Sequence, residues 1–243
     1  MKVTLKHNDC MNVLPTMPDN SVDFTLTDIP YNEVNRGDNG LRKLDKEHAD
    51  ILTFDLHKFL EEILRVTKNN ICVFCGREQF SEIYKFFSSV RGGGTVRPIV
   101  WEKSNPSPMN GEYVYLSGVE FAVWFKKKGS KVFNARCKNV VFKYPNGTSK
   151  YHPTEKNHKL LQDLILDNTN PGDTVFDPCM GSGSHLLVAL ENGRNAVGIE
   201  IKDTYYTIAS DRLAPYGNDG RLYSLIGSII KAKTLMQEKR QNG

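Results

Sequence analysis

Three short stretches of this 243-residue chain combine residue types able to do chemistry. The first is Asp177-Pro-Cys-Met-Gly-Ser-Gly-Ser184, which joins a β-patterned run to a helical one. Gly181 and Gly183 permit tight turns and close backbone approach, and the following helix presents unpaired N–H groups suited to a carboxylate or phosphate. Nicotinamide, nucleotide and methyl-donor sites all use such a turn, so this stretch alone does not choose among them. The second, Val197-Gly-Ile-Glu200, ends a β-patterned run about twenty residues further on, where an acid commonly accepts hydrogen bonds from two ribose hydroxyls. The third is Thr27-Asp-Ile-Pro-Tyr31. An exocyclic base amine is a poor nucleophile because its lone pair is delocalised into the ring. A carboxylate and a backbone carbonyl accepting from its N–H bonds would localise that pair, and an aromatic side chain could stack on the ring. Pro30 fixes φ and removes an amide. An ordinary strand-end turn has the same composition, and this stretch by itself does not separate the two.

To act together, the three stretches must end neighbouring strands, and the chain is patterned to allow it. Short β-rich runs alternate with helical stripes, the signature of an α/β sheet, which places ligands at the carboxyl ends of its strands. Val22–Asp28 alternates apolar and polar residues as a strand does. Leu56, Phe59, Leu60, Ile63 and Leu64 form a helical stripe with Asp55 as its cap. Ile71–Phe74 reads as a strand, followed by a helix carrying Phe80, Ile83, Tyr84 and Phe87. Pro98–Trp101 and Glu120–Phe125 read as two more strands around a loop, Ser104–Leu116. A helix bearing Leu160, Leu161, Leu164 and Ile165 stops before Pro171-Gly172. Thr174–Asp177, a helix capped by Ser184, the strand Asn195–Glu200 and a helix over Thr204–Leu213 complete the pattern. Leu222, Leu225, Ile226, Ile229 and Ile230 make a last apolar stripe, read as core packing ahead of a homodimer contact.

The length suits one large domain or that domain with a small insert. No run approaches the 18 or so apolar residues of a membrane span, and the N-terminus has no signal-peptide character. A cytoplasmic protein without a membrane partner is therefore expected. Five scattered cysteines argue against a disulfide framework. Cys72-Val-Phe-Cys75 has the spacing of half a zinc site, but no second pair lies nearby and its apolar setting suits buried thiols, so no metal is expected. The net charge of +4 says little, but its distribution says more. Between Lys126 and Tyr151 stand eight Lys or Arg and no Asp or Glu, interleaved with Phe133, Phe142, Tyr144 and Tyr151. A solvated basic face or a phosphate-contacting segment would both look like this. Asn32–Asp50 is a second stretch outside the pattern.

Taken in order, these pieces closely resemble the β group of amino-methylating DNA methyltransferases, whose motifs are circularly permuted. That family carries a catalytic Asp-Pro-Pro-Tyr, then a target-recognition region, then His-Pro-Thr-Gln-Lys-Pro, then Asp-Pro-Phe-x-Gly-Ser-Gly-Thr. The corresponding pieces here are Asp28-Ile-Pro-Tyr31, the basic segment, His152-Pro-Thr-Glu-Lys-Asn157 and Asp177-Pro-Cys-Met-Gly-Ser-Gly-Ser184. Asn8-Asp-Cys10, Pro18-Asp-Asn-Ser-Val-Asp23, Tyr205-Tyr206 and Arg212 extend the resemblance over nearly the whole chain.

The resemblance implies an α/β fold with a doubly wound, mostly parallel Rossmann-like sheet and a small basic recognition insert. Residues 1–125 would form the catalytic half, 126–151 the insert and 152–243 the donor-binding half. It implies S-adenosyl-L-methionine as cofactor. Asp9 and Cys10 would border its adenine, and Glu200 with Ile201 its ribose. Asp177, Pro178, Cys179, Gly181, Ser182, Gly183 and Ser184 would line the methionine moiety together with Asp28. His152, Pro153, Thr154 and Lys156 would close over that end, Thr154 also starting a helix. Asp28, Ile29, Pro30 and Tyr31 would hold a flipped base in double-stranded DNA for direct in-line displacement. Arg36, Arg42, Lys43, Lys126, Lys127, Lys128, Lys131, Arg136, Lys138 and Lys143 would grip phosphates and a few base edges, giving a short or relaxed recognition sequence.

Ile29, Glu155, Asn157 and Cys179 depart from the family pattern. Ile29 keeps an N–H that proline lacks and is expected to loosen the catalytic turn while leaving its carbonyl available. An initial Asp in that turn resembles the adenine-N6 members, whereas Ser usually marks cytosine-N4 members. Three other readings stay open: cytosine-N4 methylation, methylation of RNA or a protein amide, and a non-catalytic donor-binding or DNA-binding subunit. The permuted order speaks against the second, and only Ile29 supports the third.

Overall fold

The computed structural model describes residues 1–31, 52–108, 111–146 and 155–217. Within them lie eight strands: β1 (Val3–His7), β2 (Val22–Asp28), β3 (Thr67–Cys75), β4 (Gly94–Lys103), β5 (Val119–Lys127), β6 (Val141–Tyr144), β7 (Thr174–Asp177) and β8 (Asn195–Glu200). A single sheet holds them in the order β1-β8-β7-β2-β3-β5-β4-β6. Every neighbouring pair is parallel except those made by β5, which runs against both β3 and β4.

Six helices cover the sheet: α1 (Cys10–Val13), α2 (Leu56–Val66), α3 (Arg77–Ser88), α4 (His158–Asn168), α5 (Ser184–Glu191) and α6 (Asp203–Leu213). The period-two pattern of the strands decides which helix meets which face. Ile71, Val73 and Cys75 of β3 pack with Phe59, Leu60 and Ile63 of α2 and with Ile83 and Phe87 of α3. Cys72 and Phe74 point the other way, into the core shared with Leu160, Leu161, Leu164 and Ile165 of α4 and Val188 of α5. Each such fully buried aliphatic or aromatic side chain contributes roughly 1.5–3 kcal/mol. The two thiols of Cys72-Val-Phe-Cys75 thus lie on opposite faces of one strand, a placement that bars them from sharing a ligand.

The expected doubly wound α/β fold is found, with corrections. β1 was not anticipated; it is a short edge strand whose only signal is the alternation of Val3 and Leu5. The basic segment is not one separate insert, because Lys126 and Lys127 end β5 and Val141–Tyr144 joins the sheet edge beside β4. Ser184 does not cap α5: Gly183 holds that position in the left-handed region at φ 79°, and Ser184 is the first helical residue. α4 begins after Asn157, whose side chain accepts from Lys159 and Leu160 N–H at 2.9 and 3.3 Å, and not at Thr154. The apolar stripe from Leu222 to Ile230 lies outside the described residues.

Strand order reverses between β7 and β2. From β7 the chain crosses to β8 on one side, and from β2 it crosses to β3 on the other. At such a switch point the connections diverge and leave a crevice above the carboxyl ends of the strands.

Candidate active site

Asp28 and Asp177 end the two strands at that crevice. β2 and β7 are paired through Phe24 opposite Val175 and Thr25 opposite Phe176. The tips are tied directly, since the Thr27 hydroxyl donates to Asp177 Oδ1 at 2.8 Å. A cavity of about 380 Å³ opens above them, lined among others by Asp28, Ile29, Pro30, Tyr31, Pro178, Cys179, Gly181, Ser182, Ser184, Glu200 and Ile201. Two stretches nearly 150 residues apart in sequence therefore share one cleft.

At the β2 end, Asp28 meets a buried lysine. Lys156 Nζ, on a side chain 4% exposed, donates to Asp28 Oδ2 at 2.6 Å and to Tyr31 Oη at 3.2 Å. It also lies 3.0 Å from Glu120 Oε2, and Glu120 Oε1 pairs with Lys103 at 2.6 Å. Burial opposes the charge on Lys156, but the carboxylates of Asp28 and Glu120 outweigh it and hold its pKa well above the ordinary value. Burial alone would raise the Glu120 carboxyl; Lys156 and Lys103 overcome it and bring it below the usual value. Tyr31 is raised well above its ordinary value by burial and by Asp28, which keeps the phenol protonated. Burial likewise pushes the nearby Cys75 thiol up to about 12, so it is no nucleophile near neutral pH. Among the described residues, two buried side-chain oxygens have no hydrogen-bond partner, Asp28 Oδ1 and Glu120 Oε2, and both belong to this cluster. Glu120 Oε2 is near enough to Lys156 for an ion pair but not aligned for a hydrogen bond.

The turn after Asp28 is held from two sides. Ile29 N–H donates to Phe74 O at 3.2 Å, and its side chain is 1% exposed in the core. The expectation that Ile29 loosens the turn is therefore corrected, because its extra N–H prolongs the β2–β3 ladder. Gln79 of α3 donates from Nε2 to Pro30 O at 2.9 Å, while its Oε1 accepts from Gly76 N–H at 2.9 Å. The Pro30 carbonyl is thus already engaged.

At the β7–β8 end, Glu200 accepts from Gly181 N–H at 2.9 Å and from Lys202 N–H at 2.8 Å. Burial, the leading influence, raises its pKa. Asp9 caps α1 through Met11 N–H at 2.8 Å, and Cys10 lines the same cavity. Asp177 is placed differently from the expectation. It is fully buried and bound by Thr27, Cys179 N–H at 3.0 Å and His185 Nδ1 at 2.6 Å, so it ties the strand tips together and does not line the cavity. Gly183 is also absent from the lining; a Cβ there would come within 3.1 Å of Ala209, so it serves the approach of α5 to α6. Glu155, in the family's Gln position, accepts from Arg212 Nη2 at 2.8 Å and bonds the Ser184 hydroxyl.

The expected phosphate contacts are mostly elsewhere. β5 is reversed, so Glu120 stands at the cleft and Lys126, Lys127 and Lys128 at the far end, with Lys126 roughly 20 Å from Glu120 at ~3.4 Å per residue. Lys127 donates to Thr67 O, and Lys138 pairs with Asp163 and Asp167 at 3.1 and 2.8 Å. Lys131 and Arg136 are exposed on the segment tied by Asn134 N–H to Asp167 O, near the C-terminal end of α4. Lys143 lies toward the tips, paired with Glu102 at 2.6 Å. Arg36, Arg42, Lys43, His152, Pro153 and Thr154 lie outside the described residues. Sequence reasoning did not single out Glu120, Lys103, Gln79 or His185; the helix cap made by Gln79 was open to inspection, the others were not.

A family model of N6/N4 methyltransferases, described as DNA methylase, matches residues 22–211. The chain belongs to this family. It is 30% identical over 210 residues to YubD, a methylase by name, of Escherichia coli (strain K12), covering 85% of this chain and 88% of that one. It is 27% identical over 259 residues to the type II methyltransferase M.HinfI of Haemophilus influenzae, covering 91% and 72%. Among solved structures, the complex of M1.HpyAVI with SAM superposes with a TM-score of 0.68 at 30% identity, covering 87% of this chain and 98% of the other. The chain is thus a DNA methyltransferase of the N6/N4 family, whose methyl donor is S-adenosyl-L-methionine. No helix among the described residues is long and apolar enough to cross a membrane.

Proposed function

We propose that this chain methylates the N6 amine of adenine in double-stranded DNA, with the base flipped into the cleft beside Asp28. The observation that carries the reading is the Asp28 carboxylate, which lines the cavity and has one oxygen, Oδ1, without a hydrogen-bond partner. A group that arrives with N–H bonds satisfies it, and a base amine is such a group.

The cavity fits the donor. Its volume falls within the roughly 300–1,000 Å³ usual for small-molecule sites. Glu200, Asp9, Cys10, Gly181, Ser182 and Ser184 all line it; Glu200 would accept from the ribose hydroxyls, Asp9 and Cys10 would flank the adenine, and the other three would border the methionine end. Bound there, S-adenosyl-L-methionine supplies a methyl group activated by its sulfonium charge.

The chain's own work is to hold the amine and its growing charge. Asp28 Oδ1 accepts one N–H of the amine. The Ile29 carbonyl accepts the other, since Gln79 already occupies that of Pro30. Tyr31, protonated and fixed by Lys156, offers its ring for stacking. As the nitrogen becomes cationic, the Asp28 carboxylate stabilises it and is placed to take its proton. Asp rather than Ser at the head of the turn supports adenine over cytosine. The duplex then approaches across the strand tips, where Lys143 stands, and away from Lys126–Lys128. Asp28→Ala is expected to abolish methyl transfer to DNA while donor affinity stays within about threefold of wild type. Turnover by that variant would remove Asp28 from the reaction.

A further inference from the structure

We propose that Glu120 is a positioning residue for methyl transfer: through Lys156 it keeps the Asp28 carboxylate turned toward the amine and free to accept from it. This rests on the cleft being a base-amine methylation site. Glu120 reaches the cleft because β5 alone runs against its neighbours, which brings its first residues level with the last of β3, Phe121 lying opposite Cys75. Lys103, at the end of β4, fixes Glu120 Oε1 at 2.6 Å and so anchors the carboxylate to the sheet. The other oxygen faces Lys156 Nζ at 3.0 Å, across from Asp28 Oδ2 at 2.6 Å.

A buried ammonium must be compensated by opposite charge. With two carboxylates beside it, Lys156 is balanced while binding only one oxygen of Asp28, and Oδ1 is left without a hydrogen-bond partner. Take away the Glu120 charge and the same ammonium has Asp28 as its only anionic partner, which favours capture of both Asp28 oxygens. The four charges of Asp28, Glu120, Lys103 and Lys156 also sum to zero. A neutral side chain at 120 would leave that group of four with a net positive charge, beside which positive charge must grow on nitrogen.

Single-turnover transfer from tritiated S-adenosyl-L-methionine to duplex DNA tests this with the full chain, alongside donor Kd and thermal melting. Glu120→Gln is expected to slow the chemical step about ten- to hundredfold, with KM for DNA and donor Kd nearly unchanged, and to melt somewhat lower than wild type while staying folded at the assay temperature. Glu120→Asp, which keeps the charge but withdraws it by one methylene, should fall between that variant and wild type. A wild-type rate in Glu120→Gln overturns the proposal. So does a loss that is wholly accounted for by weaker donor binding, a raised KM or unfolding at the assay temperature, since each assigns Glu120 another role. If Glu120→Gln does not fold, Glu120→Asp carries the test, and a wild-type rate there overturns the proposal. Wild-type protein that transfers nothing to DNA marks failure of the underlying reading and takes the proposal with it; wild-type turnover matched by Glu120→Gln marks failure of the proposal alone.

Discussion

Ile29 stands where the family carries proline, and its surroundings explain why the exchange is tolerated. Its N–H bonds Phe74 O, and its side chain fills the core beneath the turn. Ile29→Pro removes both and should lower stability by about 2–4 kcal/mol in urea unfolding; an unchanged midpoint would contradict this packing. Glu200→Ala should weaken donor binding by about tenfold or more, because it strips the acceptor proposed for the ribose and frees Gly181 N–H. An equal Kd by calorimetry would displace the donor from this end of the cleft. The Lys156 cluster also fixes a pH dependence. Glu120, lowered from 4.5, adds stability that is present above that value and is lost as pH falls through its folded pKa. Lys156, raised above 10.5, adds stability that is present below that value and is lost as pH rises through its folded pKa. Glu120→Gln should therefore blunt the acid-side fall in melting temperature, and an identical acid profile would count against the coupling.

Among elements, legibility followed periodicity and length. α2 was readable because five apolar residues repeat on one face behind an Asp cap, and the side chain of Asp55 does accept from His57 and Lys58 N–H. β1 and β6, of five and four residues at the sheet edges, carry too few buried positions to show a pattern. Strand direction was also hidden, because period-two alternation is the same read either way. That is why Glu120 passed as an ordinary strand residue: only the reversal of β5 brings it to the cleft. The glycine turn was legible as a turn but not in its division of labour. Gly183 sits at φ 79° with Ala209 close by, so Gly183→Ala should cost about 1–3 kcal/mol and push α6 away from α5. Stability equal to wild type in that variant would deny the close approach.

For the whole molecule, the permuted order of motifs made the convergence of β2 and β7 readable before any coordinates, because each motif belongs to a strand tip. The charge distribution was not readable in the same way. Eight cations in one stretch look like a single surface, yet the reversal of β5 and the return of β6 put Lys126 and Lys127 at one end of the sheet and Lys143 toward the other. Lys126→Gln with Lys128→Gln should accordingly leave the salt dependence of DNA binding within one counterion of wild type. A slope reduced by two would place duplex DNA along the far end after all.

The most direct measurement is of the product. Duplex DNA incubated with the protein and methyl-labelled S-adenosyl-L-methionine is digested to nucleosides and resolved by mass spectrometry. The account predicts label in N6-methyldeoxyadenosine with wild type and none with Asp28→Ala. Label confined to N4-methyldeoxycytidine, or label that persists in N6-methyldeoxyadenosine without Asp28, would contradict it.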